Sequence, residues 1–281
     1  MILKRKQEVN TSIGILFFIL FYPGVIFGQC QNGKVVCSKT NKGIGYASIG
    51  IIGKNVGTVS DQDGSFTLTI DDVYNNDSLR FSMIGYEPRC ILVSQFKENL
   101  LKNISLDPKS YALQEVKVIY QKPKKVRLGT PVLTTDLRSG FDSNILGSEL
   151  GIELDVRKRV KLKDINLNIA VCTYDSVTYR LNIYQSENGC GYNNILTEPI
   201  YISFTKDDIN EALTFDLADY SIIVEGNIMV ALELYKDLGE GKLLFQTQFF
   251  TGNTLHRKTS EGNWTQSPGA IGMYLTSHEI R

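Results

Sequence analysis

Trp264 and Tyr192 are the side chains of this sequence best suited to meet a ligand. Trp264 is the only tryptophan and lies in the polar, turn-rich run Glu261-Gly262-Asn263-Trp264-Thr265-Gln266-Ser267-Pro268. Tyr192 lies in Gly189-Cys190-Gly191-Tyr192-Asn193-Asn194. An aromatic ring on a polar loop offers a flat face to a sugar ring, and ligand contacts favour loops carried by a rigid scaffold. The competing expectation is a ring folded back to cap a core, because large aromatics bury most of their area.

Other chemistries lack their parts. A zinc peptidase needs three ligands and an open fourth position, but the chain has two histidines, His256 and His278, and the residue three after His256 is Thr259. Gly147-Ser148-Glu149-Leu150-Gly151 has the wrong spacing for a nucleophile elbow. Gly43 to Ser48 misses the last glycine of a dinucleotide fingerprint, and Gly50 to Lys54 misses the P-loop spacing. Glu225 with Glu233, or Asp216 with Asp219, supply carboxylate pairs of the kind glycosidases use, but sequence does not place either pair across a cleft. The expectation is therefore no enzyme, no metal and no cofactor. Thirty basic side chains against thirty acidic ones also argue against a nucleic-acid partner, which calls for a basic excess.

Two charged segments read as structural. Asp61-Gln62-Asp63-Gly64 has part of a calcium loop, but it reads better as a turn in which Asp61 and Asp63 accept backbone N–H groups. Gly57 and Gly64 are both free to take positive φ there. Arg157, Arg159, Lys161 and Lys163 share one face of an extended strand, and lysine on an exposed edge deters pairing with other chains. The alternative is an anion-binding stripe.

The elements that position these residues are strands. Residues 1–28 come first: Lys4, Arg5 and Lys6, an apolar run from Ile13 to Phe27, then Gly28. The run is shorter than the ~20 residues of a spanning helix, so the layout predicts a signal peptide and an exported chain, periplasmic, outer-membrane-associated or secreted, with an uncleaved anchor as the alternative. Cleavage leaves the mature chain at net −2. Five cysteines (Cys30, Cys37, Cys90, Cys172, Cys190) then face an oxidising compartment. Cys30 with Cys37 and Cys172 with Cys190 are possible bridges. Buried free thiols are the equal alternative.

From residue 29 onward, runs of four to eight apolar-alternating residues sit between Gly, Asn and Asp clusters, the pattern of sandwiches and barrels. The longest helix-compatible stretch is Gln95 to Lys102. Residues 29–108 hold strands around Gly33, Ala47, Phe66, Leu79, Ile91 and Ile104. Residues 109–127 read as a linker containing Pro123. Residues 128–281 hold seven candidate strands, which predict a second, jelly-roll-like sandwich. In it, Val177, Tyr179, Leu181 and Ile183 alternate with Thr178, Arg180, Asn182 and Tyr184, and Met229, Ala231 and Glu233 alternate with their neighbours. Both read as half-buried strands.

The series Gly33, Ala47, Gly57-Thr58, Asp61-x-Asp63-Gly64-x-Phe66, Asp77-x-Leu79, Gly85-Tyr86, Leu106 and Leu113-x-Glu115-Val116 resembles the carboxypeptidase-regulatory-like domain of secreted and outer-membrane proteins of Bacteroidota-type bacteria. The resemblance implies a seven-stranded prealbumin-like β-sandwich acting as a scaffold or interaction module. It gives Gly57, Thr58, Asp61, Asp63, Gly64, Phe66, Gly85 and Tyr86 structural roles, and it implies no peptidase activity. Receptors with this domain continue into a plug and barrel, but the residues remaining here lack a transporter barrel's strands. The whole reads as an all-β, exported, non-catalytic protein of the cell envelope that binds an envelope protein. The alternative is a carbohydrate-binding protein using Trp264 and Tyr192 on a surface glycan.

Overall fold

Phe66, Leu68 and Ile70 alternate with Thr67 and Thr69, and in the computed structural model this segment is a strand with its apolar face inward. The structure describes residues 28–98, 103–110, 124–129, 131, 137–186, 192–209 and 212–280. Residues 1–27, the Leu113–Val118 run and Cys190 lie outside the described residues.

The first domain is β1 (Gln29–Cys37), β2 (Ser48–Ile51), β3 (Gly57–Val59), β4 (Ser65–Ile70), β5 (Ser78–Ser82), β6 (Arg89–Leu92), α1 (Val93–Glu98) and β7 (Asn103–Leu106). Its seven strands form two sheets, ordered β4-β1-β7 and β3-β2-β5-β6. Only β1 and β7 run parallel. Between the sheets Phe66, Phe81 and Phe96 meet with ring centroids 5.8–6.0 Å apart. Phe96 comes from α1, a six-residue helix that begins two residues before the helix-compatible stretch.

The second domain is β8 (Lys125–Gly129), β9 (Arg138–Phe141), β10 (Glu149–Leu167), β11 (Ile169–Cys172), β12 (Ser176–Ser186), β13 (Tyr192–Asn194), β14 (Ile200–Thr205), β15 (Leu213–Asp216), β16 (Ile223–Glu233), β17 (Leu243–Arg257), β18 (Thr265–Ile271) and β19 (Met273–Glu279). These twelve strands share one hydrogen-bonded network. The nineteen-residue β10 is its hub. Its first half pairs with β16 and β17, and its second half pairs with β15 and β19. The strand thus passes from one layer of the sandwich to the other. The core between the layers includes Ile165, Tyr179, Leu181, Val230, Leu232 and Phe245.

Several details differ from the sequence reading. β8 occupies the end of the expected linker and pairs with β19. The basic stripe is not on an edge, because β10 is paired on both sides. The register against β16 slips between Val156 and Val160, and Arg157, Lys158 and Arg159 are exposed at that bulge. Such a bulge breaks the alternation that would have aligned Arg157 and Arg159 with Lys161 and Lys163. Cys30 and Cys37 lie on one extended strand, exposed and buried respectively. Seven residues of strand span about 23 Å, well beyond the ~7 Å Cα separation a disulfide tolerates, so these two do not bridge each other.

The two strands expected to be half-buried are buried on both faces. From Tyr179 to Tyr184 in β12, and from Ile228 to Glu233 in β16, every residue is buried. One face enters the second domain's core. The first domain covers part of the other face, and the site is built at that junction.

Candidate functional site

Strand register assembles four charges in a row. Arg180 on β12 lies opposite Glu233 on β16, Glu233 lies opposite Glu149 on β10, and Glu149 lies opposite Arg257 on β17. Neighbouring strands are about 4.8 Å apart, so the two carboxylates are forced together and each is held by the arginine on its outer side. Arg180 Nε and Nη2 donate to Glu233 Oε2 at 3.0 and 2.8 Å, and Asn182 Nδ2 adds a bond of 2.7 Å. Arg257 Nε donates to Glu149 Oε1 at 3.0 Å, and its Nη2 donates to the same oxygen. The Tyr184 hydroxyl donates to Glu149 Oε2 at 2.9 Å. All four charged side chains are buried.

Environment separates the two carboxyls. Burial opposes charge on Glu233, but Arg180, then Arg257, then the Asn182 bond outweigh it and hold the group below the usual carboxylate range. Burial is the stronger effect at Glu149 and pushes it up to about 7. Arg257 pulls against the shift and the Glu233 charge adds to it.

The first domain caps this row. Ser48 Oγ donates to Glu233 Oε1 at 3.1 Å and accepts from Arg180 Nη2 at 2.9 Å. Arg180 Nη1 donates to the Tyr46 carbonyl at 2.5 Å and approaches Met83 Sδ at 3.3 Å. Tyr46 has φ +62°, a conformation that non-glycine residues hold only when their surroundings enforce it. Its ring meets Tyr235 edge-on at 4.8 Å, and Tyr235 in turn meets Tyr201 at 4.8 Å.

A second contact comes from the turn after β17. Glu261, at φ +59°, accepts from Arg80 Nη1 at 3.3 Å and from Ser82 Oγ at 2.8 Å, while its carbonyl accepts the Gly53 N–H at 2.9 Å. The turn lies so close that a Cβ on Gly50 or Gly57 would sit 2.1 or 2.4 Å from the Ser260 carbonyl oxygen. Gly57 is thus a glycine because another backbone passes over it, and it does not take the positive φ that its sequence context suggested.

Between these contacts lies a cleft of about 320 Å³, at the small end of ligand-site volumes. Trp264 and Tyr192, 72 residues apart in sequence, are brought together there with ring centroids 6.3 Å apart, and each also meets Tyr184 edge-on. They pack on Met229, Ala231 and Leu255 while lining the cleft, so each ring caps a small core and also borders the cleft. The Arg257 guanidinium carbon lies 4.9 Å from the Trp264 ring centre, a cation–π contact. Gly85 (φ +87°) and Tyr86 form a lip, tied by the Lys109 N–H to the Gly85 carbonyl at 2.8 Å.

The remaining motif residues serve the first sandwich. Gly64 takes φ +88° and donates to the Asp61 carbonyl at 2.9 Å. Asp63 accepts the Ser65 N–H at 3.0 Å and pairs with Lys34 at 3.1 Å. Hydrogen bonds from Ser65, then Lys34, hold its carboxyl down at about 2. Thr58 pairs with Ile49 in the sheet, and Phe66 is core. Of the proposed carboxylate pairs, Glu233 is in the buried row while Glu225 is exposed. Asp216 accepts the Ala218 N–H at a turn and so serves the local chain. His256 and His278 lie on β17 and β19, and no cluster of three metal-ligating side chains occurs among the described residues.

Residues 31–118 match the CarboxypepD_reg-like domain family, just under a third of the chain. No curated protein matches the sequence.

Proposed function

We propose that this chain, whose first sandwich is a CarboxypepD_reg-like domain, is an exported, non-catalytic binding protein of the cell envelope that recognises its partner through the cleft between its two domains. The observation that supports this reading is the state of the cleft's acids. Glu233 already accepts from Arg180, Asn182 and Ser48, and Glu261 already accepts from Arg80 and Ser82. A general base or nucleophile needs a lone pair aimed at substrate, whereas four donor bonds from the protein fill Glu233 and each Glu261 oxygen already holds one. Glu149, whose affinity for a proton is nearer that of an acid–base group, is wholly buried behind Arg257 and Tyr184.

The same bonds make the cleft rigid, which favours recognition because little side-chain freedom is lost on binding. Domain junctions are common places for such sites. Export agrees with the basic and apolar start of the chain. The test is cell fractionation followed by retention of envelope material on the immobilised full chain, compared with Lys109→Glu at the cleft lip. The expected result is an envelope-located chain that retains an envelope component lost in the variant. A cytoplasmic chain, or retention that the variant leaves unchanged, overturns the reading.

A further inference from the structure

We propose that the cleft is a site for an acidic saccharide, whose carboxylate is met by Lys109, Arg80 and Arg257 and whose ring lies against the Trp264–Tyr192 pair. This rests on the reading of the cleft as the recognition site. Cations in the cleft have unused N–H donors, whereas the acceptor sites of Glu233 are taken by the protein. Among the described residues the Lys109 ammonium makes no hydrogen bond or ion pair. Arg80 uses only Nη1, on Glu261. Arg257 uses Nε and Nη2 on Glu149 and Tyr184, and Nη1 takes part in none of these bonds. Arg180, by contrast, is fully engaged.

A neutral ligand would leave the Lys109 ammonium unpaired and the spare N–H groups of Arg80 and Arg257 unused, while a carboxylate forms charge-assisted bonds with them. The rest of the lining suits a sugar. Asn182, Asn194 and Asn263 line the cleft with planar amides, and Asn194 is fixed by donating to Asn182 Oδ1 at 2.9 Å. The volume admits about one or two sugar rings.

The experiment is calorimetric titration of the full chain with a short oligogalacturonate, a neutral oligogalactoside of equal length and a glutamate-rich peptide. The proposal expects the uronate to bind, the neutral sugar to bind at least about tenfold more weakly, and affinity to fall with added salt. Lys109→Gln, which breaks no bond of the described structure, should weaken uronate binding about tenfold. Trp264→Phe should weaken both sugars. Equal binding of charged and neutral sugars overturns the proposal, as does binding of the peptide alone. If the uronate fails while cleft-dependent retention of envelope material persists, the ligand class is wrong and the cleft reading stands. If both fail, both are wrong. Release of cleaved sugar during titration would also overturn the non-catalytic reading.

Discussion

Replacing Arg180 with methionine should weaken the whole protein and uncouple its two domains. Arg180 bonds to both sides of the junction: Glu233 in its own domain, and Ser48 and the Tyr46 carbonyl in the other. Methionine keeps much of the stem and removes the charge. Glu233 then remains buried with only Ser48 and Asn182 as donors. Removing one partner of a buried ion pair costs about 3–5 kcal/mol, so the melting temperature should fall by roughly 6–20 °C for a chain of this size. Replacing both partners, as Arg180→Met with Glu233→Leu, leaves no buried charge stranded and should recover most of the loss. The assay is calorimetric and denaturant unfolding of the wild type, both single variants and the double variant. One cooperative transition is expected in the wild type, and two separated transitions in Arg180→Met. A single unchanged transition in that variant, with a loss below about 1 kcal/mol, would refute the claim that this pair clamps the domains.

The remaining predictions concern other parts of the junction and the thiols. Glu149 is raised to about 7 when folded against 4.5 unfolded. The folded state therefore binds the extra proton between those values, and the stability from this group is complete below 4.5 and lost as pH rises through 7. Wild type minus Glu149→Gln stability should accordingly rise on acidification from pH 7 to 5, and a difference flat across that window would contradict the shift. Gly50→Ala would set a Cβ 2.1 Å from the Ser260 carbonyl oxygen. It should displace the turn at Glu261 at a cost of about 1–3 kcal/mol, with a change in the emission of Trp264, the only tryptophan. An unaltered spectrum and melting temperature would mean that the turn does not press on β2. Cys30 and Cys90, both exposed, should react with a thiol reagent in the native protein, and buried Cys37 only after unfolding. A Cys30–Cys37 disulfide in non-reducing peptide maps would show that β1 is not extended along its length.

The fold was legible because it rests on local patterns. The alternation in Ser65–Ile70 and the positive-φ glycine at Gly64 are each settled within a few residues, and they are also the features that carry the family resemblance. The pairing of β10 was less legible. Its basic residues look like an edge because a bulge and its exposure are invisible without the partner strand. Of the site, Trp264 and Tyr192 were readable as aromatics on polar segments. Glu233 was named only as a carboxylate partner for Glu225, and Arg180, Glu149 and Arg257 were not readable, although one signal existed: Glu233 interrupts the otherwise apolar run from Ile228 to Leu234. An ionisable side chain within so apolar a strand needs a partner, but only strand register names which one.

That register also explains why charges stand at the junction. A buried ion pair is a weak source of stability compared with apolar residues of equal volume, so Arg180 and Glu233 need another justification. The apolar contacts nearby are permissive: Tyr46 against Tyr235 is compatible with small shifts between the sandwiches. The charged row is not. Only a docking that brings the Ser48 hydroxyl to Glu233 and the Tyr46 carbonyl to Arg180 satisfies both groups, and any slip leaves one Glu233 oxygen and the Arg180 Nη1 group without these partners, at a cost of about 1–3 kcal/mol each. The cleft lies between one domain's Gly85–Lys109 lip and the other's Trp264–Tyr192 pair, so its width depends on that docking. A clamp that admits one register therefore admits one cleft, and the charges act as a gauge for the spacing of the binding site.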